Sequence, residues 1–161
     1  MKLGYKRKKK SRVSFAHFND TGNARNKNVV AELGTFTPVS KAPKETRSLV
    51  ARLSKQFKRD VNYVSAVGYE NEKHYMDYHN HKEDLGHDTP VWIVSTGANR
   101  TFGIRERATG KEIRFQAEPG SLIVLPSAYN ITHEHAVLKP KGKTTKGMRI
   151  ALNMKAVDGK Y

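Results

Sequence analysis

The chain has 161 residues, with 30 Lys+Arg against 15 Asp+Glu, a net charge of +15 and no cysteine. That length is one domain's worth. The missing cysteines exclude a disulfide scaffold and any thiolate metal site, and no run of about 18 apolar residues exists to cross a membrane.

The charge is concentrated. Residues 1–60 hold 16 Lys/Arg and 4 Asp/Glu, whereas residues 61–161 hold 14 and 11. The densest run is Lys6, Arg7, Lys8, Lys9 and Lys10, continued by Arg12. Such a run attracts polyanions and releases counterions from phosphate backbones. Tyr5, Phe15, His17 and Phe18 interleave with it and offer faces on which bases stack. Residues 1–40 therefore read as a basic nucleic-acid-binding segment, and 41–161 as the folded domain. A solubilising tail or a nuclear address is the competing reading. No apolar h-region follows the basic start, so cytoplasmic residence is expected, or nuclear in a eukaryotic or viral setting.

In chain order, the turn-rich stretch Asn19-Asp20-Thr21-Gly22-Asn23 predicts an exposed loop. Pro38 and Pro43 bracket a helix entry at Ser40. Residues 44–59 read as one amphipathic helix, with Leu49, Val50, Leu53 and Phe57 at helical spacing. Beyond Asp60 the texture is β. Strands are predicted over 61–67, 91–95, 101–107, 111–117, 121–125, 135–138 and 149–154, with a hairpin turn at Ala108-Thr109-Gly110. The Lys/Gly/Thr-rich stretch 139–147 predicts a surface loop. The result is a mainly β sandwich or jelly roll backed by one helix.

Six of the seven histidines lie between 74 and 135. In an extended segment His79 and His81 point to the same side, and His133 or His135 on a later strand would complete three ligands. The competing reading is a set of surface or phosphate-contacting imidazoles.

The segment from Tyr69 through His79, His81 and Glu83 resembles the AlkB-like iron(II)/2-oxoglutarate dioxygenases. Pro90, eleven residues after His79, is followed by the strand 91–97 and then by Arg100-Thr-Phe. Gly120-Ser-Leu, His135-Ala-Val-Leu-Lys and Arg149-Ile-Ala-Leu-Asn-Met-Lys155 continue the family's order over about residues 44–155. The resemblance implies a double-stranded β-helix, Fe(II), 2-oxoglutarate and O2. It further implies oxidative dealkylation or hydroxylation of nucleobases in DNA or RNA, probed as single strands, by a monomer with no membrane partner. It makes His79, His81 and His135 the metal ligands, and Tyr69, Arg149, Asn153 and Lys155 the cosubstrate contacts. Glu83 and Tyr78 become substrate contacts.

This sequence departs from the family at four places. His81 stands where the family has its metal-binding Asp, Ala151 replaces an Asn, Val67 replaces a polar residue in the strand before Tyr69, and Lys155 replaces the second Arg. The departure at His81 keeps two alternatives open. One is a catalytically impaired nucleic-acid-binding module on the same fold. The other is a cupin-like three-His dioxygenase that needs no Arg149.

Overall fold

The computed structural model describes residues 14–20, 37–84, 86–140 and 146–157. Two antiparallel sheets face each other. One has the order β1 (Ser14–Asn19), β2 (Tyr63–Tyr69), β9 (Arg149–Lys155), β4 (Val91–Gly97) and β7 (Leu122–Leu125). The other has the order β3 (Met76–His79), β8 (His133–Val137), β5 (Arg100–Glu106) and β6 (Glu112–Ala117). This is the expected jelly-roll double-stranded β-helix. Among the described residues no helix is long and apolar enough to cross a membrane.

Period-two alternation makes the two sides of the five-stranded sheet different. Val67, Tyr69, Val91, Ile93, Ile123, Leu125 and Ala151 point inward and meet Phe102, Ile104 and Val137 of the other sheet. Val64, Trp92, Val94 and Met154 point outward. There they bury the apolar stripe of helix α1 (Lys44–Phe57), with Leu53 at its centre. Trp92 is 1% exposed and its ring lies 5.2 Å from that of Phe57. Trp92→Ala is expected to cost about 3–5 kcal/mol by the usual price of a large buried cavity. Urea unfolding measures this, and a loss near zero would mean that the helix is not docked there.

Several expectations shift. The helix begins at Lys44 behind Pro43, not at Ser40, because Val39–Lys41 forms a separate 3-10 turn. It ends at Phe57 rather than Arg59, because Lys58 turns left-handed with φ 51°. Asn19 is buried, not in an exposed loop: β1 pairs with β2, and the Asn19 amide donates to the Thr37 carbonyl. Residues 21–23 and 141–145 of the two expected loops lie outside the described residues. A short helix α2 (Ser127–Thr132) was not foreseen. Gly97, with φ 77°, permits the tight passage of β4 against the Met148 carbonyl, with which any Cβ would collide.

Candidate active site

The inner side of β9 carries Arg149, Ala151, Asn153 and Lys155 in succession. Its Arg149 end pairs with Tyr69 of β2 and Gly97 of β4, and its Lys155 end with Tyr63 and Val91. Opposite the Lys155 end, β3 and β8 pair His79 with His135.

His79, His81 and His135 come together, each offering a ring nitrogen, all within 4.8 Å of one another. Ring centroids are 4.4 Å apart for His79–His135 and 5.2 Å for His81–His135. His79 Nδ1 donates to the Asp77 carbonyl at 2.9 Å, which sets the tautomer whose Nε2 is the ligating nitrogen. His135 lies well below the ordinary imidazole pKa because burial disfavours its charge, reinforced by His79, His81 and Lys155. A neutral imidazole is the form that ligates a metal. In the metal-free protein the unfolded chain takes this proton near 6.5 while the folded one resists it. Folded stability is therefore expected to fall as pH drops below about 6.5. A melting temperature that is flat from pH 7.5 to 5 would contradict this.

His81 reaches the triad differently from expectation. It lies beyond the end of β3, so strand parity does not aim it. The Asn130 side chain of α2 holds it instead. Oδ1 accepts from the His81 amide and Nδ2 donates to the His81 carbonyl, both at 2.6 Å. Asn80 Nδ2 donates to the Asn130 carbonyl at 3.0 Å. Asn130→Ala is expected to weaken Co(II) or Mn(II) binding by about 10–100-fold, the range for partners that orient a ligand. Calorimetric titration checks this, and unchanged affinity would remove Asn130 from the site.

Lys155 lies beside the triad rather than on its own. Its ammonium is ion-paired with buried Asp84 and lies 3.2 Å from His81 Nδ1. Asp84 was not anticipated, since only the chain reversal through the 3-10 turn Lys82–Asp84 brings it here.

At the other end of β9, Arg149 is 0% exposed. Its Nη2 donates to Ser95 Oγ at 2.9 Å, while Nε and Nη1 meet no acceptor. Burial lowers its pKa, the Tyr69 hydroxyl opposes this as a hydrogen-bonding neighbour, and Arg100 adds a smaller push downward. Tyr69 lies under the guanidinium at 5.1 Å, its hydroxyl pushed up to about 12 by burial, against the opposing pull of Arg149. Nη1 and the second N–H of Nη2 form one edge of a fixed planar guanidinium, and such a buried edge suits a carboxylate. The residues present therefore fit both a divalent cation and a dicarboxylate cosubstrate.

Other expected site residues fall elsewhere. Tyr78 lies on the opposite side of β3 from His79, under Arg105 (3.9 Å), which pairs with Glu134. A regular alternation already separates Tyr78 from its neighbour His79. His133 does not join the triad; it stacks on Tyr129 at 4.3 Å. The side chain of Glu83 and the run Lys6, Arg7, Lys8, Lys9, Lys10 and Arg12 lie outside the described residues. A narrow cleft opens beside the triad, lined by His81, His135, Thr89, Leu125, Tyr129 and Asn130 among others.

A jelly roll holding three clustered imidazoles at one end of a strand and a buried arginine with unsatisfied donors at the other defines a metal- and carboxylate-binding β-helix. The 2OG-Fe(II) oxygenase superfamily model matches residues 2–155, and the chain belongs to that superfamily. The family implies Fe(II) and 2-oxoglutarate, and the His triad is the set that could hold the metal.

Among solved structures, that of OsALKBH1 is similar at 16% identity, covering 96% of this chain and 83% of that one, with a TM-score of 0.59. It supports the fold. Peruvianin-I, a cysteine peptidase from Thevetia peruviana latex, is 8% identical over 58% of this chain, with a TM-score of 0.43. The chain spans 49% of peruvianin-I. Vicilin from Corylus avellana (hazelnut) is 17% identical over 63% of this chain and 27% of its own, with a TM-score of 0.38. No curated protein matches the sequence.

Proposed function

We propose that this oxygenase is of the AlkB type and oxidises N-alkyl or C-methyl groups of nucleobases in DNA or RNA. The observation that carries the enzymatic reading is Arg149, a buried guanidinium whose Nε and Nη1 meet no acceptor while Nη2 donates to Ser95. A module that only bound nucleic acid would gain nothing from an unpaired buried cation, which is costly to keep. A cupin-like dioxygenase without a cosubstrate would have no use for it either. The nucleobase substrate is supported by the ordered resemblance through residues 69–155, by the net charge of +15, and by the name of the similar structure, OsALKBH1.

In this reading Arg149 binds the distal carboxylate of 2-oxoglutarate, with Tyr69 beside it and Asn153 on the same inner side. His79, His81 and His135 hold the metal. Bound iron with 2-oxoglutarate supplies two-electron oxidation of a C–H bond by O2. An N-methyl carbon hydroxylated in this way leaves the base as formaldehyde. Lys155 and Asp84 keep a balanced charge pair against His81. The triad thus gains no net charge from them, although an imidazole stands at 81 where the family has a carboxylate. The basic run from Lys6 to Arg12 supplies further positive charge for the nucleic acid.

Succinate formation tests the proposal. Purified protein with Fe(II), 2-oxoglutarate and O2 is expected to release succinate faster with N-methylated single-stranded oligonucleotides than without. Oligonucleotide binding with no succinate under any condition would favour the binding module and make His81 the cause. In that case His81→Asp should restore turnover.

A further inference from the structure

Helix α1 carries its charge on one side. At 100° per residue, Lys44, Arg47, Arg52 and Lys55 fall within an arc of about 140°. They lie opposite the stripe Leu49, Val50, Leu53 and Phe57 that packs on the sheet. Lys58 and Arg59 extend the track past the helix end, and all six cations are exposed. Glu45 and Asp60, the only acids from 44 to 60, stand at the two ends of this track. Lys55 in the last turn suits the helix dipole, but the rest of the pattern works against the helix. Lys44 and Arg47 sit in or near its positive N-terminal turn, and cations three or four apart repel each other. Helix stability therefore does not explain it.

The track also leads to the triad. Arg59 is ion-paired with Asp88, and Asp88 accepts from Ser127 Oγ at 2.8 Å. Ser127 opens α2, whose Tyr129 and Asn130 line the cleft beside His81 and His135. This junction lies where β4 begins and β7 ends, so the track reaches the cleft around the end of the five-stranded sheet.

We infer that a nucleic-acid phosphate backbone lies along the cationic side of α1 and rounds the Arg59–Asp88–Ser127 junction into the cleft. This rests on the nucleic-acid reading of the substrate. Lys and Arg contact phosphates without regard to sequence. An acidic protein is the rival occupant. Between the cations, however, the helix shows only Ser48, Ala51 and Gln56, with no large apolar side chain to anchor a protein interface.

The test uses the full chain and a methylated 15-nucleotide single strand, with affinity measured across a salt series. The triple variant Arg47→Gln/Arg52→Gln/Lys55→Gln is expected to flatten the slope of log affinity against log salt by about 2, at about 0.7 per lost contact. A control triple, Lys73→Gln/Lys111→Gln/Lys146→Gln, removes the same charge from exposed sites elsewhere. It is expected to change the slope by far less.

In turnover, the helix variant should raise KM for the 15-mer, leave KM for a methylated trinucleotide unchanged, and leave kcat unchanged for both. Equal flattening by both triples would overturn the track in favour of diffuse charge. No flattening by the helix triple, with the wild type binding, would overturn the track alone. Wild type that binds no oligonucleotide would overturn the substrate reading with it. Polyglutamate competing as well as an unmodified strand of equal charge would assign the track to an acidic protein instead.

Discussion

Arg149→Met is expected to raise KM for 2-oxoglutarate by about 100-fold or more and, at the same time, to raise the melting temperature of the cosubstrate-free protein. Both effects come from one feature. Hydrogen bonds from a charged donor are worth about 1.5–3 kcal/mol each, so losing a two-bond contact reaches that factor. Without the cosubstrate the same guanidinium is buried and lacks an acceptor at Nε and Nη1. Replacing such a buried ion with an apolar chain of similar length is often stabilising. Succinate kinetics and a thermal melt measure the two arms. A KM within a few-fold of wild type would remove Arg149 from the cosubstrate site. An unchanged KM with a raised melting point would mark it as a strained structural residue.

His135→Ala is expected to weaken divalent-metal binding by more than about 100-fold, beyond the loss caused by removing a partner that merely orients a ligand. His135 pairs directly with His79 across β3 and β8, and burial, then its neighbours His79, His81 and Lys155, lower its pKa. No other histidine among the described residues is grouped with the triad to take its place. By contrast, His81→Asp should keep the metal, since a carboxylate is an equally able ligand at a site for a divalent ion. Titration with Co(II), followed by its visible absorption, separates the two variants. Wild-type affinity in His135→Ala would mean that the three imidazoles are not the metal centre.

Much of this was legible because periodicity and pairing agree. The stripe Leu49, Val50, Leu53 and Phe57 marked α1, and alternation placed Arg149, Ala151, Asn153 and Lys155 on one side of a strand. The His-x-His at 79–81 and His135 were legible from spacing. Their meeting depends on tertiary structure, because His81 is aimed by Asn130, 49 residues away. Helix α2 was missed because Ser-Ala-Tyr-Asn-Ile-Thr has no apolar period and buries no residue of its own. Asp84 was missed because its partner Lys155 is 71 residues distant. Tyr78 was misplaced against a signal that was present, the parity that sets it opposite its neighbour His79. β1 was missed because its six residues are short and end in turn-forming Asn19 and Asp20, with no pattern that announces β2 as partner.

β9 pairs over seven residues with β2 on one side and with β4 on the other. Its outward residues Met154 and Leu152 close the helix core, while its inward residues close the site. A strand in this position opens only when the whole sheet opens, so its amides belong to the slowest-exchanging class of the molecule. Arg149 therefore stands on the least yielding part of the chain. Entry and exit of small molecules must be governed by the loops and by the short helix at the cleft. A substitution that loosens the contact of α1 with Met154 would then be felt first as cosubstrate affinity, before the protein measurably unfolds.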